Sequence, residues 1–289
     1  MTEPEKNLGW AFTTPSGIEV YFQEKPKRLY RVNGVEVPSV TTVLDVLSKP
    51  ALTWWGMRIG IEAVLELVRL GQVSYASASA LLAVRGEEKW EFATLANVEK
   101  LAVAHKLSTN HRRDAAGTRG VSVHSALEKW IEDRTLPVLD FYPDSERGYV
   151  AGLLAFLTDL GEVTKTKTEV MVGSVEHGFA GRYDLEAQLR KSSLVVNAKR
   201  NIRVDIPAGL WLVDVKTSKR IYNSHYLQLE AYEGARIECG YKPTKGRMVV
   251  RFGDDGSYEV GVSKVNLDHF LSILGAYNAL EDVKTLVKS

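Results

Sequence analysis

The hydrophobic period of the chain changes repeatedly between residues 149 and 263, and the order of those changes limits the folds open to it. Residues 149–160 repeat apolar side chains at helical spacing and stop at Gly161. Residues 168–172, 182–189, 193–198 and 210–215 then read as strands, rich in Val, Leu and aromatic residues. A second helix is expected over 224–238, stopped by Gly240 and Pro243. A hairpin follows, 247–252 and 258–263, turned by Asp254-Asp255-Gly256, and a last helix covers about 266–286. Helix, three or four strands, helix, strand is the order of an α/β core.

The first forty residues read as strands at 18–23 and 29–32, with Asn33-Gly34 as a two-residue hairpin signal. Ser39 or Thr41 caps a helix running to Leu47, and Pro50 interrupts it. From Trp54 to about Trp130 the pattern is mostly helical, with breaks near Gly71, Gly86 and 115–120. Three regions result: an N-terminal hairpin region over 1–38, a helical module over 39–116 and a core over 117–289. Trp54, Trp55 and Trp90 read as packing residues.

Composition excludes several classes. Of 289 residues, 45% are hydrophobic, enough for a sizeable core, yet the longest apolar runs are too short to span a bilayer. Residues 1–9 are polar and charged, unlike a secretory leader. The single cysteine, Cys239, rules out an intrachain disulfide, a cysteine-rich zinc site and a four-cysteine iron–sulfur cluster. A soluble, cytoplasmic protein with no membrane partner is the expectation. The net charge is only +1, but Lys165, Lys167, Lys191, Lys199, Arg200, Arg203, Lys216, Lys219 and Arg220 crowd one stretch. Such a run is either a solvated face or a phosphate track.

Four motifs carry chemistry. In Leu210-Trp211-Leu212-Val213-Asp214-Val215-Lys216-Thr217, strand alternation puts Asp214 and Lys216 on one face and Trp211, Val213 and Val215 on the other. The pair is either a local ion pair where a sheet meets water, or a metal-binding carboxylate beside a lysine that serves an attacking water. Gly178 and Gly181 suit a tight turn delivering a strand with Asp184 and Glu186. Carboxylates on two neighbouring strands offer the hard oxygens that Mg²⁺ prefers, and Glu186 is a further ligand or a solvated side chain. Gln228 and Tyr232 share a helical face at i, i+4, and His124 does the same with Glu128. His105, His111, His177, His225 and His269 read as structural.

Taken in order, G-T-x-x-x-x-x-H-x-x-x-E from Gly117, G-x-x-G-x-x-D ending at Asp184, apolar-D-x-K-T-S from Val213 and Q-x-x-x-Y from Gln228 resemble the RecB-like branch of the PD-(D/E)XK nuclease superfamily. That branch includes CRISPR-associated RecB-like nucleases, the mitochondrial genome-maintenance exonuclease and phage recombination exonucleases. The likeness covers about 117–232, and the stretches 38–44 and 49–55 resemble the opening of phage-type members. It implies a restriction-endonuclease-like core, a central mixed sheet flanked by helices, with 117–289 as nuclease core.

The resemblance further implies that His124, Asp184 and Asp214 bind Mg²⁺, with Mn²⁺ as substitute, and that the Val215 carbonyl completes the shell. Lys216 would position or deprotonate the nucleophilic water, with Asp184, Asp214 and Lys216 as the catalytic set. Gln228 and Tyr232 would orient the site and the nucleic-acid backbone, and Glu169 would be a supporting or alternative acid. The implied function is a metal-dependent DNA exonuclease of replication, recombination or repair. It would act on DNA with a free end in a bacterial or phage-infected cell, alongside recombination or replication proteins. An endonuclease of the same fold, an idle DNA-binding module and a protein-interaction scaffold are the alternatives. Two departures stand out. Asp184 and Asp214 lie thirty residues apart, and the surplus, about 190–209, reads as an extra hairpin or loop bearing Lys199, Arg200 and Arg203. No cysteine cluster is present, so the iron–sulfur members are poor guides.

Overall fold

The computed structural model describes residues 9–25, 27–47, 50–76, 81–85, 90–92, 94–197 and 202–288. They divide into two compact units, one of residues 1–47 with 119–289 and one of residues 48–118.

In chain order, the larger unit opens with strands β1 (Gly9–Thr13), β2 (Glu19–Gln23), β3 (Leu29–Val32) and β4 (Val35–Val37), followed by helix α1 (Val40–Leu44). The smaller unit holds α2 (Pro50–Arg69), β5 (Val73–Ala76), β6 (Leu81–Arg85), β7 (Trp90–Phe92) and α3 (Leu95–Ala104). Helix α4 (Thr109–Asp133) returns the chain to the larger unit at Arg119, and α5 (Asp144–Leu160) comes next. Then come β8 (Val163–Ser174), β9 (Phe179–Leu189), β10 (Ser193–Asn197), β11 (Ile202–Ile206) and β12 (Gly209–Lys216). The chain ends with α6 (Asn223–Glu238), β13 (Gly246–Phe252), β14 (Tyr258–Val262) and α7 (Leu267–Lys288).

The N-terminal strands form an antiparallel meander, β1-β2-β3-β4, rather than a single hairpin. Its β3–β4 turn has both Asn33 and Gly34 at positive φ, which is why that dipeptide occupies it. Ser39 caps α1 by accepting from the Thr42 amide at 3.0 Å. Pro50 opens α2 instead of merely ending a helix, as suits a residue whose missing N–H would have no helical acceptor.

The central sheet is mixed, in the order β14-β13-β12-β9-β8, with only β12 and β13 parallel. Two apolar layers cover its faces. On one, α4 and α5 bring Val123, Leu127, Leu153 and Phe156 against Trp211, Val213, Val215 and Val250. On the other, α6, α7 and α1 bring Leu229, Phe270 and Val43 against Leu212, Val249 and Phe179. Strand alternation in β12 therefore falls as read from its sequence, Leu212 on one side and Trp211, Val213 and Val215 on the other. The architecture is α/β, a mixed sheet flanked by helices.

Residues 54–130, read as mostly helical, are corrected in two places. Strands β5, β6 and β7 form a three-stranded antiparallel sheet between α2 and α3. A short apolar run such as Leu81–Arg85 has too few residues for period alone to separate strand from buried helix. Helix α4 also runs unbroken through 115–120, where Gly117 and Gly120 are tolerated inside a long helix. The smaller unit has its own modest core of Ala63, Leu67, Val73 and Ala102. Among the described residues, no helix is long and apolar enough to cross a membrane.

Candidate metal centre

Three elements converge on one cluster. Helix α4 supplies His124, β8 supplies Glu169 and β9 supplies Asp184, and one ligand atom from each lies within 4.8 Å of the others. The His124 Nδ1 is 3.3 Å from Glu169 Oε1 and 3.8 Å from Asp184 Oδ1. Burial works to lower the His124 pKa, but the Asp184 and Glu169 carboxylates outweigh it and hold the imidazole above its usual value. Burial likewise works to raise Glu169, and His124 and Arg182 prevail in lowering it. Glu128, one turn along α4 from His124, is raised by burial and by Glu169.

Local backbone geometry places the acids. Glu169 and Asp184 lie between the register pairs Thr168–Leu185 and Val170–Tyr183, and Glu169 has a φ of 50°. A non-glycine residue at positive φ interrupts the pleat. Beyond that interruption the sides of β9 exchange: Tyr183 packs with the α6 layer, whereas Leu185, two residues on, packs with the α5 layer. Strained backbone of this kind is over-represented at functional sites. Gly178, at φ 69°, closes the β8–β9 turn. Gly181 serves close approach instead, since a Cβ there would stand 2.5 Å from the Tyr232 ring.

Asp214 stands beside this trio and not in it. It is completely buried, and Lys216 Nζ lies 2.5 Å from its Oδ2. Lys216 is thus its close charged partner, while Asp214 Oδ1 meets no donor among the described residues. Burial, only partly offset by Lys216, pushes the Asp214 carboxyl up to about 7. Burial opposes the charge on Lys216, but Asp214 and Asp184 prevail and raise its pKa, so the ammonium stays protonated. The Asp184 Oδ2 accepts from the Val215 amide at 2.7 Å, tying β9 to the strand that carries Asp214 and Lys216.

The other sequence-read residues sort as follows. Gln228 Nε2 donates to the Tyr232 hydroxyl at 2.8 Å, and Tyr232 is buried against Gly181. The pair supports the floor of the site rather than presenting a surface. Burial, then the Asp214 charge, raises the Tyr232 pKa well above its usual value. Glu186 is neither a ligand nor solvated: it is buried and bound by Arg236 at 2.5 Å. Arg203 is exposed on β11, in the β10–β11 hairpin that fills the interval between Asp184 and Asp214. Lys199 and Arg200 lie outside the described residues.

Sequence reasoning passed over Arg182, which grips Glu169 Oε2 at 2.5 Å and orients it. Its position two residues before Asp184 on a strand was the available signal. It also undervalued His225, which accepts from the Tyr222 amide at 3.3 Å at the start of α6. Burial, then the Lys216 charge, lowers the His225 pKa to about 3. In the unfolded chain it titrates near 6.5, so below that pH the unfolded chain gains a proton that the folded one refuses. The stabilising contribution is complete above pH 6.5 and is lost as pH falls towards 3. Wild type should therefore lose thermal stability relative to His225→Gln between pH 6.5 and 4; a constant difference in Tm over that range would contradict this.

No family model matches the chain, and no curated protein matches it. A solved structure titled "Crystal structure of SSO0001" aligns with 55% of this chain and 71% of its own, at 14% identity and a TM-score of 0.28. A likeness of that size carries no argument about fold or function.

Proposed function

We propose that the protein is a metal-dependent deoxyribonuclease of the PD-(D/E)XK superfamily, RecB-like branch, acting as an exonuclease on DNA in replication, recombination or repair. The observation that carries this reading is Asp214: a fully buried carboxylate paired with Lys216 through Oδ2, with no donor to its Oδ1 among the described residues, next to the Val215 amide that binds Asp184. Buried charges are ordinarily paired and hydrogen bonded or bound to a metal, so this carboxylate has the character of a ligand group. The order α5, β8, β9, β12, α6, β13, with β12 and β13 parallel, supports the same assignment at the level of topology.

The donor set fits a hard divalent cation. Carboxylate oxygens of Glu169 and Asp184 with the His124 imidazole suit Mg²⁺, with Asp214 beside them as the further acid that the family resemblance implies, and a nitrogen donor favours Mn²⁺ as substitute. Glu169 therefore joins the proposed holding residues, beside the Val215 carbonyl that the family resemblance implies. Bound there, such a cation supplies Lewis acidity towards a phosphodiester oxygen and a more acidic water.

The chain's own groups do the rest. Lys216, kept protonated by Asp214 and Asp184, donates to the attacking water or a non-bridging oxygen, and in this state it positions instead of abstracting a proton. The Val215 amide fixes the Asp184 rotamer, Arg182 fixes Glu169, and the Gln228–Tyr232 bond stiffens the helix face behind Gly181.

The decisive experiment is a time course on end-labelled single-stranded and duplex DNA with Mg²⁺ or with chelator. Progressive loss of end label only with the metal supports the assignment, internal cuts would make the enzyme an endonuclease, and no metal-dependent product would refute both. Lys216→Ala should lower the rate at saturating metal by about a hundredfold while shifting metal affinity little, since the ammonium serves water and phosphate. A metal titration showing mainly weakened affinity and a normal plateau rate would contradict that role.

A further inference from the structure

Beside the metal-ligand cluster lies a second feature that the hydrolytic reading leaves unused. A cleft of about 470 Å³ is lined by Phe12, Lys167, Glu169 and Tyr241 together with neighbouring residues of β8. Glu169 belongs to both this cleft and the His124–Glu169–Asp184 trio, so the two sites adjoin. Strand β8 is the end strand of the central sheet, and the cleft is lined by consecutive residues Lys167–Met171 around the kink at Glu169.

Its walls are aromatic and cationic. Phe12 of β1 lines the cleft, and Trp10, two residues earlier on the same face of β1, lies outside the lining and extends the aromatic surface from it; the two are 38% and 41% exposed. Residues at that interval on a strand stand about 6.6 Å apart, close to the spacing of successive nucleotides in an extended single strand. Trp10 is braced edge-on against Phe22, which in turn lies under the Arg182 guanidinium, so the exposed rings rest on a buttressed surface. Across the cleft, Lys167 Nζ sits 4.7 Å from the centre of the Tyr241 ring. Two exposed aromatic rings on one strand, beside a cation and opening onto a carboxylate cluster, are poorly explained by packing, since apolar surface left in water gains nothing from folding.

We infer that this cleft binds the unpaired bases of single-stranded DNA, Phe12 and Trp10 stacking successive bases while Lys167 faces a phosphate, and delivers the strand to the Glu169 side of the metal centre. The inference rests on the nuclease reading for the fate of the strand, but its binding step is independent of cleavage. Stacking on aromatic side chains is tolerant of base sequence, and paired bases in a duplex do not expose the faces it needs.

The test is equilibrium binding of a fluorescent single-stranded oligodeoxynucleotide, and of its duplex, to the full chain in chelator. Phe12→Ala should weaken single-strand binding by about 5- to 100-fold and duplex binding by less than twofold. Phe12→Tyr, which keeps the ring, should bind like wild type, and Phe12→Ala is compared with it at a temperature where both are folded. Lys167→Gln should flatten the salt slope on the single strand by about 0.7. Unchanged affinity in Phe12→Ala, equal losses on both substrates, or no binding of the single strand by wild type would each overturn the inference. Cleavage in Mg²⁺ is scored separately: ring-dependent binding without cleavage sinks the nuclease reading alone, and cleavage with ring-independent binding sinks the cleft alone.

Discussion

Asp214→Asn is expected to lower DNA cleavage at saturating Mg²⁺ by at least about a hundredfold, equivalent to about 2.7 kcal/mol of transition-state stabilisation, while fold and DNA binding persist. The substitution keeps the volume of a side chain that is fully enclosed, so no cavity or clash follows. It removes the charge that the carboxylate would offer to a cation, and with it the ionic partner 2.5 Å from Lys216. A carboxyl whose pKa is pushed to about 7 is part-protonated in the metal-free protein at neutral pH, and a bound cation competes with that proton. Activity of the wild type should accordingly rise with pH through the neutral range at subsaturating Mg²⁺, and Asp214→Asn should abolish that dependence along with the rate. More than a tenth of the wild-type rate in the variant would remove Asp214 from the catalytic set.

How much of this was legible in the sequence differs between layers of the argument. The strand around Asp214 announced its two faces because apolar and polar residues alternate at period two in an otherwise continuous run, and the structure divides them the same way. Helix α6 was legible from Gly240 and Pro243, and the β3–β4 turn from Asn33-Gly34, since these residues have few backbone conformations to offer. What alternation could not reveal was its own failure. Opposite the positive φ at Glu169, Tyr183 and Leu185 of β9 pack in different layers, Glu169 joins the ligand cluster and Glu186 binds Arg236. Nothing in a Glu between Thr168 and Val170 marks it for left-handed backbone. The β5–β7 sheet escaped for a different reason: its strands are three to five residues long, below the length at which period discriminates. The burial of Asp214 was hidden too, because sequence shows a strand end, not the helix that covers it.

The second large effect concerns stability. Arg236→Met should cost about 3–5 kcal/mol, on the order of 10 °C in Tm, although Arg236 lies in no proposed catalytic role. Its guanidinium is 1% exposed and meets Glu186 at 2.5 Å, Glu233 at 2.9 Å and the Lys242 carbonyl at 3.2 Å. Its Nε donates to the Tyr183 hydroxyl, which donates onward to Glu186. These contacts raise the Arg236 pKa against the effect of burial, so the side chain stays charged at any ordinary pH. Removing it strands two buried carboxylates that the interior cannot hydrate, and the penalty comes from them more than from the lost attraction. The triple variant Arg236→Met, Glu186→Gln, Glu233→Gln should therefore recover at least half of the loss, because it removes the orphaned charges as well. The clamp joins α6 to β9 between Tyr183 and Glu186, directly beside Asp184, and α6 carries Gln228 and Tyr232. Under conditions where the single variant remains folded, its rate at saturating metal should stay within about threefold of wild type while its Tm falls. A normal Tm in the single variant, or a triple variant no more stable than the single one, would show that the clamp is not an ionic cross-brace.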